Sequence, residues 1–365
     1  MDAEKRVEPL ELFFDLVFVF ALTQVTARMA DELSWGGLLR GLLVLAAIWW
    51  AWAAYAWLTN EVDGRRRDVR LAIFGAMIAM LVASLAIPGA FEGDALLFGC
   101  AYLGVRVMHI LLFAAGTDDV DVRQAARALA TVATVGPALL LLASAFDGTA
   151  QVAIWILALA IDYVGGALRG IGGWRLSPGH FAERHSLIVI IALGESIVAI
   201  GVGAKGIELG AGELAAAALG VAVSAALWWV YFDTGLEQVE HRLHAAPAGR
   251  ARNVMARDSF SFLHLPLIAG IVLLALGLKK TLEHVDDPLK AVSATALCAG
   301  VALYLVSDVA FRRRCLGTLE RPRLIAAAAC LALLPLAIEL PSLAALACVA
   351  AVGAALVAYE TLSGT

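Results

Sequence analysis

Glu195 stands behind eight residues without a polar side chain, Leu187 to Gly194, and is followed by Ser196. A carboxylate deep in such a run can hold a cation or carry a proton, with the Ser196 hydroxyl beside it. Its structural alternative is a hydrogen bond to a neighbouring helix, which Gly194 and Ser196 would let come close. Asp15 lies behind Phe13 and Phe14 in another apolar run, and Gln24 follows nine residues later, about two and a half helical turns on and on the opposite side. Asp15 reads either as an ion or proton ligand at the mouth of a pathway or as a carboxylate favoured at a helix start. His264 precedes Pro266 by two residues, where proline frees a backbone carbonyl and bends a helix. It can relay protons there or be satisfied by backbone. Arg106, with His109 three residues on, and Asp308 carry opposite charges at matching places in two further runs. They form either a gate that breaks and reforms or a buried ion pair. Asp162 and Asp233, each near the end of a run, are secondary candidates.

These groups are costly only if the elements that carry them lie in hydrocarbon, at about 2.5–3.5 kcal/mol each on insertion scales. The composition demands that they do. The chain has 365 residues, 61% of them hydrophobic and 16% charged, with mean hydropathy +0.84; soluble domains run at about 45–50% and about 25%. A net charge of -5 and a pI near 5.8 leave no basic footprint for nucleic acid. The fold class is therefore an all-α polytopic membrane protein whose first partner is the lipid bilayer, with a small solute or monovalent ion as the possible cargo.

About twenty apolar residues make one helical span, and twelve candidates follow one another along the chain. Placing the N-terminus in the cytoplasm puts twenty Lys and Arg residues in inside loops against six outside, which fits twelve spans with both termini inside. No small-residue cleavage site closes the first run, so the first helix is expected to be retained. The halves resemble each other in order: Asp15 to Gln24 over Ser186 to Glu195, Trp49-Trp50 over Trp228-Trp229, Arg67-Asp68 over Arg257-Asp258, Tyr102 over Tyr304, Pro137 over Pro335, and Asp162 over Glu360. The expectation is two parallel six-helix repeats at 12–168 and 185–360, joined by a cytoplasmic linker at 169–184, with short cytoplasmic ends at 1–11 and 361–365.

Other chemistry finds no foothold. The five cysteines include no CxxC pair, and GxGxxG, Walker, HExxH and GxSxG motifs are absent, so no cofactor and no metal site is expected. His241 and His244 form a lone HxxH on a charged stretch. The clusters Trp49, Trp50, Trp52, Tyr55, Trp57 and Trp228 to Phe232 read as an interfacial aromatic belt, or as a cage for a cation. Lys5 and Arg184 enter only as inside-loop charges, and Arg28, Glu183 and Glu360 as span-end charges of little cost.

The runs Glu8-Pro-Leu-Glu-Leu-Phe-Phe-Asp15, Ile190-Ile-Ala-Leu-Gly-Glu195-Ser-Ile, Leu227-Trp-Trp-Val-Tyr-Phe-Asp233 and Leu263-His264-Leu-Pro266 resemble the bacterial low-temperature requirement protein A (LtrA) family. The resemblance implies a multi-pass bacterial membrane protein, with a link to growth at low temperature or under stress, and no settled activity. Phe13-Phe14-Asp15 is also loosely similar to the Phe-Ser-Asp motif that two-repeat potassium channels carry in each repeat. The second half here has His185-Ser186-Leu187 instead, against a symmetric pore. Two readings follow: a secondary transporter or ion or proton conductor of the inner membrane that uses Glu195 and its neighbours, or a membrane enzyme or scaffold acting at the cytoplasmic face around Asp233, His241 and His244.

Overall fold

A backbone in hydrocarbon must satisfy its own hydrogen bonds, so apolar runs of this length become helices. The computed structural model describes residues 5–115, 120–168, 174–233 and 235–363. Its helices are α1 (Pro9–Asp31), α2 (Trp35–Glu61), α3 (Arg67–Leu85), α4 (Ala95–Ala115), α5 (Val120–Ala143), α6 (Gly148–Leu168), α7 (Pro178–Gly203), α8 (Ala211–Phe232), α9 (Leu236–Ala245), α10 (Arg250–Ala256), α11 (His264–Glu283), α12 (Ala291–Leu316), α13 (Arg321–Ala332), α14 (Leu334–Ala337) and α15 (Ser342–Ser363). A single π-helical turn, Arg257–Phe262, joins α10 to α11. No strand forms among the described residues.

Ten of these helices, α8 and α9 counted together as are α10 and α11, are long and apolar enough to cross a membrane. Two of the twelve expected spans differ. The apolar part of α5 is the shorter piece Ala133–Ala143. The run expected at 323–340 breaks after Ala332 into α13 and α14, because Pro335 brings no N–H and crowds the carbonyl one turn back. Two helices also start earlier than their apolar runs. Pro9 and Pro178 stand at first helical positions, where the missing N–H costs nothing and the fixed φ suits the helix. The stretch expected as a linker at 169–184 thus contains the first turns of α7.

The chain divides into two compact units. Unit 1 comprises Met1–Arg28, Leu39–Ser186 and Leu243–Arg257; unit 2 comprises Met29–Leu38, Leu187–Arg242 and Asp258–Thr365. In unit 1, α3 to α6 pack each against the next in chain order. Its core holds Trp49, Trp52, Tyr55 and Trp57, none more than 7% exposed, in contact with Phe14, Phe181 and one another. The expected interfacial belt is therefore corrected for this half: α2 is enclosed by its neighbours, so its rings fill an interior. Trp228, 42% exposed, is available to lipid.

In unit 2 the closest pairing is α11 with α12. Gly270 and Gly277 let the backbones touch: a Cβ at Gly270 would stand 2.7 Å from the Gly300 carbonyl oxygen, and one at Gly277 would stand 2.7 Å from the Leu297 Cα. Small residues at a helix crossing are how apolar helices gain contact where no hydrophobic effect drives them together.

Candidate functional site

The early start of α1 and α7 has a chemical result in unit 1. Glu11 in the first turn of α1 accepts from the Glu8 backbone N–H at 2.8 Å, a helix-start bond. It also faces His180 and Arg184 of α7. His180 Nε2 lies 2.9 and 3.0 Å from the two Glu11 oxygens, and the Arg184 guanidinium lies 3.2 Å from one of them. Asp15, one turn on, accepts from Arg184 Nη2 at 2.7 Å and from the Trp52 indole N–H at 2.9 Å. Asn60 closes the cluster. Its Nδ2 donates to the Arg175 carbonyl and its Oδ1 accepts from the Ser177 N–H, so Oδ1 must be the acceptor 3.3 Å from His180 Nδ1. Both ring nitrogens of His180 thus face acceptors. Two carboxylates, one guanidinium and one imidazole are thus fully enclosed, with Asp15, His180 and Arg184 at 0% exposure.

Outside the spans, Lys5 lies over the end of α2 and donates to the Thr59 and Val62 carbonyls, the latter at 3.0 Å. A cation suits a helix C-terminus, but burial lowers the Lys5 pKa from its ordinary 10.5.

Deeper in unit 1, Arg106 and His109 on α4 and Asp162 on α6 are each no more than 3% exposed. Tyr55 donates to the Val105 carbonyl and Tyr102 to the Ala47 carbonyl, both at 3.0 Å, and His109 Nε2 donates to the Ala54 carbonyl at 3.0 Å. These bonds fix α4 against α2. They leave five polar atoms without a hydrogen-bond partner among the described residues: Arg106 Nε and Nη1, His109 Nδ1, and both Asp162 oxygens. The Asp162 carboxyl packs on α5 at Gly136, where a Cβ would stand 2.5 Å from it.

Unit 2 places its charges differently. Asp308 Oδ2 on α12 accepts from Arg312 Nε at 3.0 Å and from Arg323 of α13. Arg323 turns its other edge to Glu360 of α15 in a two-point fork, at 2.8 and 3.1 Å. Arg312 Nη2 also caps α8 through the Val230 carbonyl at 2.8 Å. Asp308 thus has two guanidinium partners inside its own unit, neither singled out by the sequence. His264 is held on both sides: Nδ1 donates to the Ser259 carbonyl at 3.0 Å and Nε2 accepts from the Tyr231 hydroxyl at 2.8 Å, with Phe260 and Phe311 against the ring. The π-helical turn before it frees the Ser259 carbonyl for this bond.

Glu195 and Ser196 on α7 are buried at 1% and 0% exposure, and the Ser196 hydroxyl has no partner among the described residues. Gln24 is half-buried on α1, and Asp233 is exposed at the end of α8. His241 and His244 are exposed on α9. Among the described residues no three His, Cys, Asp or Glu side chains gather as a metal site.

The residues that reasoning along the chain missed are Glu11, Asn60, His180, Arg184, Arg312, Arg323 and Glu360. One signal for the first group was present: Glu11 and Asp15 are one turn apart on a helix face, and two adjacent carboxylates entering lipid require cations.

Ten membrane-length apolar helices with charges paired in their interior define a multi-pass helical membrane protein. The sequence matches the bacterial low temperature requirement A protein (LtrA) family over residues 6–358, and the chain belongs to that family. It is similar to the uncharacterized protein RA0937 of Rhizobium meliloti (strain 1021), at 30% identity over 314 residues, which cover 83% of this chain and 76% of the relative.

Proposed function

We propose that this protein is a secondary transporter or an ion- or proton-conducting protein of the bacterial inner membrane. It has twelve spans in two parallel six-helix repeats and both termini in the cytoplasm. The observation that carries this reading is the unmet polar demand of Arg106, His109 and Asp162, five hydrogen-bonding atoms buried without a partner among the described residues. Each unmet buried group costs about 1–3 kcal/mol, so a polar species belongs there. Charged groups maintained at membrane depth mark a pathway more often than a scaffold.

The repeat has support in matched bonds. Tyr102 donates to a carbonyl of α2, and Tyr304 donates to the Leu227 carbonyl of α8 at 2.8 Å. In the proposed mechanism Glu195, with Ser196, is the protonation or ion-coupling site, and His264 stands near the path as a positioning residue. Asp15 is a candidate ion or proton ligand on the cytoplasmic side of α1, and Gln24, about two and a half turns further along, is a second candidate.

Protein in liposomes carrying a pH dye, driven by a potassium diffusion potential, tests this. A proton or cation flux is expected, lost in Glu195→Gln and strongly reduced in Asp162→Asn. Flux unchanged in both variants removes the assigned sites. Absence of flux from the wild type removes the conducting reading and leaves the enzyme or scaffold reading at the cytoplasmic face, around Asp233.

A further inference from the structure

Unit 2 contains a cleft of about 1090 Å³ that opens to the outside, just above the volumes of about 300–1,000 Å³ that take drug-sized ligands. One end is ionic. It is formed where α8, α12 and α15 finish and α13 begins, and Asp233, Arg312, Glu320 and Arg321 line it. The other part is an apolar wall between two helices, with Ile325 and Ala329 from α13 facing Val352 and Ala355 from α15. Ile325 is 69% exposed and Tyr359 at the rim 55%, as befits side chains in contact with acyl chains.

The charges at the ionic end say what would fit. Arg323 and Glu360 neutralise each other at the floor, as do Asp308 and the Nε edge of Arg312. Arg321, Asp233 and Glu320 also line the cleft, as does Arg312. The structure gives Arg321, Asp233, Glu320 and Arg312 Nη1 no side-chain hydrogen bond or ion pair among the described residues. Arg312 is 4% exposed and already anchored to Val230, so its Nη1 is a fixed donor. It points to the turn at Gly235, where a Cβ would come within 2.7 Å. Two arginines and two carboxylates gathered at one end of the cleft match a headgroup that carries an anion and an N–H cation together. A purely anionic headgroup would meet a surplus of acid.

We infer that this cleft binds a zwitterionic aminophospholipid, its phosphate on Arg321 and Arg312, its ammonium on Asp233 and Glu320, and its acyl chains along the wall of α13 and α15. Native mass spectrometry of the full-length protein, equilibrated in equal parts phosphatidylethanolamine, phosphatidylcholine and phosphatidylglycerol, tests it. Phosphatidylethanolamine should be retained over phosphatidylcholine, which lacks the ammonium N–H, and over phosphatidylglycerol, which lacks the cation. The exposed pair Arg321→Ala with Asp233→Asn should lower that retention about a hundredfold, about tenfold for each charge-assisted hydrogen bond lost, without altering the elution profile. Ile325→Trp should displace lipid with the ionic end intact. Equal retention of the three lipids, preference for phosphatidylglycerol, or retention unchanged in the double variant would overturn the inference. So would competition by soluble glycerophosphoethanolamine at the lipid's own concentration, because the wall would then contribute nothing.

Discussion

Arg106 and Asp162 in unit 1 and Asp308 and Glu360 in unit 2 occupy matching places under the proposed repeat, yet the two sets differ in how far they are paired. In unit 2 a third residue, Arg323, stands between the carboxylates and bonds both. In unit 1 five atoms of Arg106, His109 and Asp162 lack a hydrogen-bond partner among the described residues, against one, Asp308 Oδ1, in the unit 2 set. A set of charges paired at most of its atoms stabilises and fixes helices; a set with many unmet atoms has capacity for something that is not protein. Under the proposed transport reading, the Asp308, Arg323 and Glu360 set serves architecture, and Arg106 with Asp162 serves the cargo.

The largest effect should come from opening the closed set. Arg323→Ala leaves Asp308 and Glu360 buried without their shared cation, a loss of about 3–5 kcal/mol. It should appear as a large drop in unfolding temperature in detergent. Arg323→Lys, which keeps charge but not the fork, should recover part of it. A small change on Arg323→Ala would remove the contrast between the units.

Glycine pairs sharpen the same comparison. Gly270→Ala drives a methyl into the backbone of α12, which cannot yield, and should cost about 1–3 kcal/mol. Gly136→Ala meets only the end of the Asp162 side chain, and its helix propensity improves by up to about 1 kcal/mol. Its stability should hold while flux falls, measured on the same liposomes.

Asp162→Asn removes a charge that accepts no hydrogen bond from the described protein. Its stability should change by less than about 1 kcal/mol, against several for Asp308→Asn. Equal losses in the two would merge the units' roles. The smallest effect belongs to Lys5. Its pKa is lower folded than the ordinary 10.5 because of burial. Between the lowered value and 10.5 the unfolded chain therefore holds the extra proton, and stability rises with pH across that window. Lys5→Met should flatten that rise in a pH series of melting curves.

Much of the candidate chemistry was legible along the chain. Glu195, Asp15, Asp308 and His264 stood out because each is a polar side chain in an apolar run, and all four are buried. Their partners were not legible. Arg184 looked like a loop charge because it precedes the apolar part of α7, and Glu360 looked like a span end. Hydropathy registers where a residue would partition and is blind to what it meets. Asp15 and Arg184 are 169 residues apart, and Arg323 and Glu360 are 37 apart. Along the chain Trp52 reads as a belt residue for the same reason, since an indole at an interface and an indole bonded to Asp15 have one hydropathy.

Composition and apolar periodicity by themselves determined that this chain lives in lipid as helices, because transfer from water adds residue by residue and a backbone in hydrocarbon has one local solution. The motif at Glu8 to Asp15 and its three companions also placed it in its family. Only the tertiary structure decided which charges are closed by partners and which are left open, because that depends on distances of a few ångströms between groups remote in the chain, and electrostatic cost in a dry interior turns on them.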